Sequence, residues 1–203
     1  MTRGKFITFE GIDGAGKTTQ IQALQRFLTD RGIEVVRTRE PGGTPLGEKI
    51  RALLLNDDMN LMAETLLFFA ARSQHITDVI VPALQRGAWV LSDRFTDATY
   101  AYQVGGKGFE AQKVLALEAM VQEGFGPDKT VVFDLDPAIA AKRLATTREP
   151  DRFEKENRDF FTRVRNAYLE RAQADPKRFL TLDASLAPEA ITQELLSEVQ
   201  GWL

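Results

Sequence analysis

The chain has no cysteine and a single histidine, His75. The first absence excludes disulfides, thiolate metal sites and cysteine nucleophiles; the second excludes metal centres built from several imidazoles. No apolar run reaches the ~20 residues that a membrane-crossing helix needs. The start of the chain enters a strand-like segment within a few residues, without a signal or transit pattern. Positive charge is not in excess either: 26 Lys and Arg stand against 29 Asp and Glu, a formal net charge of −3, whereas a dedicated nucleic-acid binder is usually basic. Together these absences predict a cytoplasmic protein that neither binds nucleic acid nor spans a membrane. No repeat, linker or low-complexity stretch divides the 203 residues, of which 43% are hydrophobic. One core and a single domain, 1–203, are expected.

What is present is a phosphate-binding signature. Gly11-Ile12-Asp13-Gly14-Ala15-Gly16-Lys17-Thr18 matches G-x-x-x-x-G-K-[ST],. An apolar run, Phe6 to Phe9, precedes it and reads as a buried strand. An amphipathic pattern, Ile21, Leu24 and Leu28, follows and reads as a helix. The glycines allow backbone dihedrals closed to other residues and a close approach to phosphate. The loop amides and the helix N-terminus supply donors to an anion. Lys17 adds charge near the β and γ phosphates, and the Thr18 hydroxyl can ligate Mg²⁺. A nucleoside triphosphate is the expected ligand.

Four more strands are legible: Glu34–Thr38, Ala88–Leu91, Thr130–Leu135 and Phe179–Leu182. Helical patterns alternate with them, including a long one from about Asn60 to Arg86 that Pro82 bends or shortens. Gly105 to Gly108 reads as a flexible stretch. Val114, Leu117, Met120 and Val121 mark a further helix, as do Phe160, Val164, Ala167 and Tyr168. Strands alternating with helices predict a five-stranded parallel sheet covered on both faces, with ligands outside the carboxyl ends of the strands. The phosphate loop, the Arg39 turn, Asp93-Arg94 and the arginine-rich stretch beyond the fourth strand should converge there.

Each of these residues has a plain alternative. Asp93 can act on Mg²⁺ through water and Arg94 can fork onto phosphate; the alternative is a surface salt bridge at a strand end, and the strand-end location favours the functional reading. Asp134 and Asp136 are a rival metal site, although Asp136, before Pro137, can simply start a helix. Arg39 clamps a second phosphate or is a solvated loop charge. Phe68 and Arg72, four apart on one helix face, suit a planar base, yet Phe68 taken alone is more often core. Phe69 is the better core candidate. His75 is structural or solvent-facing and is assigned no chemistry. Residues 142 to 165 hold eight Lys and Arg against five Asp and Glu. Such mixed charge is commonly a solvated helix face, but with Pro150 and the threonines it also reads as a helix–loop–helix lid, about 145–156, that brings arginines to transferred phosphate.

Phe9 to Thr19, Thr38-Arg39-Glu40-Pro41-Gly42-Gly43, Phe68-Phe69-Ala70-Ala71-Arg72, Asp93-Arg94-Phe95 with Thr99 to Gln103, and Asp151-Arg152-Phe153-Glu154 together resemble the bacterial thymidylate kinase family, in order across essentially the whole chain. The phosphate loop is generic; the other four together are specific. The resemblance implies a P-loop nucleoside monophosphate kinase fold with a helical lid, and transfer of the ATP γ-phosphoryl group to dTMP with Mg²⁺. It implies ATP on Gly11, Ile12, Asp13, Gly14, Ala15, Gly16, Lys17, Thr18 and Thr19, and metal at Thr18 and Asp93. It places Asp13 toward the acceptor, Arg39 and Arg94 on the acceptor phosphate beside Pro41, and Phe68 stacked on thymine with Arg72 at its edge. Thr99 and Gln103 complete the base contacts, and Tyr102 sits where a ribose 2′-hydroxyl would go. A homodimer is implied. Some members carry an arginine directly after the acidic residue of the loop; here Gly14 stands there, so the assisting arginines are expected in the lid. Arg152 matches that pattern, while Arg148 stands one position off it. The resemblance also raises a cis Glu40–Pro41 bond.

Rival readings are a kinase for another nucleotide or a deoxynucleoside, a nucleotide-dependent switch protein, and a regulatory module without transfer. A nucleoside kinase has no use for two arginines around an acceptor phosphate. A switch protein would be expected to carry an N-K-x-D guanine-reading motif, which is absent.

Overall fold

The computed structural model describes residues 3–144, 152–153 and 156–203. The five expected strands form, as β1 (Phe6–Glu10), β2 (Val35–Arg39), β3 (Trp89–Asp93), β4 (Lys129–Asp134) and β5 (Phe179–Asp183). All pair in parallel, in the order β2-β3-β1-β4-β5. Every residue of β1 is buried, as a central strand covered on both faces requires. The order of the chain reverses at β1, between β3 and β4, which is where such a sheet opens a crevice. Phe9 is in register with Asp93 and Glu10 with Val132, so the phosphate loop leaves the sheet inside that crevice.

Helix α1 (Lys17–Thr29) buries Ile21, Leu24 and Leu28 and packs on α9 (Pro188–Gln200), whose Ile191, Leu195 and Val199 are buried. Helix α2 (Pro45–Asn56) starts with Pro45 behind Thr44, whose hydroxyl accepts from Gly47 N at 2.9 Å,. Asn60 caps α3 (Leu61–His75) in the same way, accepting from Ala63 N at 2.9 Å. The long helical pattern stays helical but changes pitch: Ile76–Ile80 is π-helical and α4 (Val81–Gln85) follows. The wider turn takes up the register just where Pro82 has no N–H to donate.

After β3, α5 (Thr96–Thr99) passes directly into a second π-helical segment, Tyr100–Gly106. Here one expectation is corrected. Gly105 and Gly106 are not a flexible hinge; they are where this segment touches α8 (Arg158–Ala174). A Cβ on Gly105 would lie 2.6 Å from Ala167 Cβ, and one on Gly106 would lie 2.4 Å from Phe160 Cε2. Arg163 donates to Gly106 O at 2.8 and 3.1 Å. A glycine run looks the same in sequence whether the chain needs freedom or proximity.

Of the apolar residues expected on α6 (Ala111–Gln122), only Val114 is fully buried; Met120 is 73% exposed, and the neighbouring Leu115 is 53% exposed. Asp136 resolves toward its plainer reading: it starts α7 (Pro137–Leu144), accepting from Ala138 N at 2.7 Å. Both oxygens of Asp134 are taken by Arg165, at 2.5 and 2.9 Å. Among the described residues, neither belongs to a group of three or more acidic or imidazole side chains that could hold a metal ion.

Candidate active site

The phosphate loop is shaped by close approach. Gly11 has φ 131°, and a Cβ there would lie 2.7 Å from Phe133 O. Gly16 stands at the N-cap of α1 with φ 83°; no side chain caps the helix and its first turn holds no acid. The helix dipole and the loop amides are therefore left to a ligand anion. Lys17 is buried and donates to Gly11 O at 3.0 Å and Ile12 O at 3.2 Å, with Asp13 at 3.9 Å. Burial, and then the Arg94 charge, pull its ammonium below the usual lysine range; Asp93, Asp13 and Glu10 oppose them. Thr18 and Thr19 are exposed at the start of α1.

Arg94 is held in a conformation that few side chains adopt. Its φ is +72°, a backbone strain worth about 1–3 kcal/mol. Three hydrogen bonds over-determine it. Arg94 N donates to Phe9 O at 3.0 Å, Ser92 Oγ donates to Arg94 O at 2.8 Å, and Phe95 N donates to Glu10 Oε1 at 2.8 Å. The strain turns the guanidinium back over the phosphate loop, where it donates to Asp13 Oδ1 at 2.9 Å and lies 4.6 Å from the Tyr102 ring centroid. Burial disfavours its charge, but Asp13, together with Tyr102, Tyr168 and Asp93, more than offsets this and holds its pKa well above the ordinary arginine value, so the cation stays in place.

Next to Arg94 opens a cleft lined by Asp13, Pro41, Phe68, Arg72, Thr99, Tyr102 and Gln103. Phe68 is half-buried and forms a wall of the cleft rather than part of the core; Phe69 is the core member. Arg72 is 1% exposed. Its Nε donates to Glu40 Oε2 at 2.8 Å and its Nη2 to Thr99 Oγ1 at 3.1 Å. His75 is fully buried and links Glu40 Oε1, 2.9 Å from Nδ1, to Thr38 Oγ1, 2.6 Å from Nε2. It is thus structural, bracing the carboxylate that braces Arg72. The Glu40–Pro41 bond is cis.

Four buried side-chain atoms lack a hydrogen-bond partner among the described residues: Arg72 Nη1, Asp93 Oδ1, Tyr102 Oη and Arg152 Nε. Unsatisfied buried polar atoms are rare enough that each needs a reason. Arg72 and Tyr102 line the cleft itself. Asp93 ends β3 immediately before Arg94. Arg152 immediately precedes Phe153, another wall of the cleft. All four belong to one region.

Two arginines sit elsewhere than the sequence suggests. Arg39 does not line the cleft; it is about half exposed and pairs with Glu48 at 2.8 Å. The cation lining that end is Arg51, whose Nη1 donates to Pro41 O at 3.0 Å. Arg152 pairs with Glu64 on α3 rather than with the phosphate loop. Arg148 and most of the expected lid lie outside the described residues. Sequence reasoning missed Arg51, Glu64, Phe153 and the bracing role of Glu40. Glu64 alone left a signal, because Glu64, Phe68 and Arg72 recur every fourth residue on one face of α3.

Known proteins match the chain over nearly its full length. A sequence model described as thymidylate kinase matches residues 9–195. A thymidylate kinase of Methylobacillus flagellatus is 55% identical over 194 residues, 96% of each chain. One of Burkholderia vietnamiensis is 58% identical over 189 residues, 91% of this chain and 92% of that one. A crystal structure of thymidylate kinase from Ehrlichia chaffeensis superposes with a TM-score of 0.80 at 33% identity, covering 97% of this chain and 99% of that one. A family match over this much of the chain, on a fold and cleft of this shape, makes the protein a member of the thymidylate kinase family.

Proposed function

We propose that the protein transfers the γ-phosphoryl group of ATP to dTMP, giving dTDP and ADP. One observation carries the substrate side. The Arg72 guanidinium, fixed at two nitrogens by Glu40 and Thr99, keeps Nη1 unpartnered at the edge of a cleft walled by Phe68. A flat wall and a single edge donor suit a planar base that presents a carbonyl. Arg94, at the opposite end and against Asp13, suits the acceptor phosphate. The Tyr102 ring lines the cleft beside the Arg94 guanidinium and is assigned to the sugar.

The acceptor phosphate oxygen is already anionic and needs no protein nucleophile. The chain's own work is to bring two anions into line and to neutralise the charge spread over the transferred group. Lys17 and the α1 amides serve the donor, Arg94 holds the acceptor, and Arg152 is assigned to the developing charge. The donor set also fits Mg²⁺: Asp93 Oδ1 is a buried acceptor without a partner and Thr18 carries a hydroxyl at the start of α1. Such a cation is commonly held by one or two protein groups plus phosphates and water. When bound, Mg²⁺ would supply charge neutralisation at the phosphates.

The exposed Met62 and Leu66 on α3, with Leu115 and Met120 on α6, support a homodimer built on these helices. The whole chain is read as one domain. No described helix is long and apolar enough to cross a membrane, and the reading places the enzyme in the cytoplasm.

A coupled ADP-release assay with ATP, Mg²⁺ and a panel of dTMP, dUMP, ribothymidine monophosphate, dCMP, AMP and thymidine tests the reading. Strong turnover with dTMP, and little with the ribonucleotide or with thymidine, is expected. Tight ATP binding without turnover on any acceptor would overturn it.

A further inference from the structure

Glu64 is a carboxylate with an unusual load. It is 1% exposed, and three nitrogens from two other segments converge on it. Gln103 Nε2 donates to Oε1 at 3.0 Å. Lys107 Nζ donates to both oxygens, at 3.0 and 2.8 Å. Arg152 Nη2 donates to Oε2. Taking a carboxylate out of water is costly unless it is paired and hydrogen-bonded, and here an amide and two cations compensate it. The residue stands eight before Arg72 and four before Phe68 on the same face of α3, so it continues the row that walls the cleft.

A carboxylate can only accept, so Glu64 decides which way the Gln103 amide faces. The NH₂ group is turned to Glu64, and the carbonyl oxygen is left for whatever occupies the cleft that Gln103 lines. The cleft then presents an acceptor, Gln103 Oε1, together with a donor, Arg72 Nη1. A pyrimidine with an N–H beside a carbonyl satisfies both. In the same placement, a pyrimidine that turns a bare ring nitrogen to Gln103 and an amino group to Arg72 satisfies neither. The other carboxylate oxygen holds Arg152, whose Nε has no partner among the described residues. Because the carboxylate is planar, Gln103 and Arg152 are positioned by one rigid group.

We propose that Glu64 is a positioning residue that enforces the choice of thymine over cytosine through the amide of Gln103, and that anchors Arg152 beside the cleft. This rests on the dTMP kinase reading. The isosteric Glu64→Gln removes the constraint, since a glutamine can accept or donate and lets the Gln103 amide turn.

The test compares kcat/KM for dTMP and for dCMP in wild type, Glu64→Gln and Glu64→Ala, with KM for ATP and the melting temperature as controls. The expected result for Glu64→Gln is a fall of tenfold or more in the dTMP-to-dCMP ratio. KM for ATP stays within about twofold and the protein remains folded. A ratio unchanged in both variants, or equal losses on both substrates, would overturn the proposal. Trypsin cleavage after Arg152, followed by mass spectrometry, supplies a readout that needs no turnover. Cleavage there should be faster in Glu64→Ala than in wild type while sites in α8 stay protected, and equal rates would overturn the Arg152 anchor. Wild-type protein inactive on every monophosphate would sink the kinase reading, whereas active wild type with an unaltered ratio would sink only this inference.

Discussion

At the scale of the residue, placement is expensive and the structure shows where it is spent. Arg94 occupies left-handed backbone held by three hydrogen bonds, and this single strained residue points its guanidinium at Asp13 and the phosphate loop. Arg94→Ala and Lys17→Ala are expected to lower kcat by about 100-fold or more, the scale on which removing one preorganised electrostatic donor acts. Circular dichroism should show the fold retained, and near-normal turnover in either variant would remove it from the catalytic assignment. Arg72→Lys tests the base edge. A lysine cannot keep two fixed bonds, to Glu40 and Thr99, and still present a third donor in the same plane. KM for dTMP should rise tenfold or more with KM for ATP little changed; equal rises in both would count against a base-reading role. The chemistry-bearing residues were legible as types and spacings: Lys17, Asp93, Arg94, Phe68 and Arg72 can each be picked out of the sequence. Their partners were not, because Glu40 and Arg72, or Glu64 and Arg152, meet across 32 and 88 positions of chain.

At the scale of the element, the segment after β3 is where local pattern and tertiary contact part company. Tyr100–Gly106 presents Tyr102 and Gln103 to the cleft on one side and two glycines to α8 on the other. Gly106→Ala would put a methyl 2.4 Å from Phe160 Cε2. Overpacking of this kind costs about 1–3 kcal/mol. Its melting temperature should fall by several degrees and KM for dTMP should rise, since the displaced segment carries the cleft residues. A variant as stable and active as wild type would show the contact to be dispensable. The strands, by contrast, were readable nearly residue by residue. Five apolar runs of four to six residues between helical patterns leave little other than a parallel sheet. The π-helical turns at Ile76–Ile80 and Tyr100–Gly106 were not readable, because a change of hydrogen-bond register within a helix alters the apolar period too little to be seen over one turn.

At the scale of the whole molecule, two properties bear on stability and assembly. Glu10, fully buried, has its carboxyl pushed up to about 8 by burial and then by the Asp97 charge, against 4.5 when free. A carboxyl raised on folding binds its proton more tightly in the folded state than in the unfolded one. Its contribution to stability is therefore greatest at low pH and is lost as pH rises from about 4.5 through about 8,. Denaturation by urea at pH 6 and pH 8.5 should show that loss, and Glu10→Gln should shrink it. Unaltered pH dependence in that variant would assign the effect to other groups. Asp97 works in the opposite sense: burial raises its carboxyl, but hydrogen bonds and charge from Arg178 and Arg171 outweigh this and hold it below the usual range. The stability it lends is lost on acidification through that lowered value. For assembly, Met120→Glu on the exposed face of α6 should shift a dimer toward monomer in sedimentation velocity. Unchanged sedimentation, or a wild type that is already monomeric, would move the interface or remove it.

Sequence alone determined the kind of molecule. The phosphate loop between a strand and a helix and the alternation of apolar runs predicted a nucleoside triphosphate site on a parallel sheet, because glycine dihedrals, periodicity and spacing are local properties of the chain; the kinase reading came from the resemblance of the five ordered motifs to a known family. Only the tertiary structure decided which side chains serve the cleft. It set Arg51 at the cleft and Arg39 at the surface beside Glu48, turned paired glycines into a packing contact, left Met120 in solvent, and gave Glu64 its three partners. Those outcomes depend on which element packs against which, and burial and pairing across a sheet or between distant helices leave no mark on the residues that flank them in sequence.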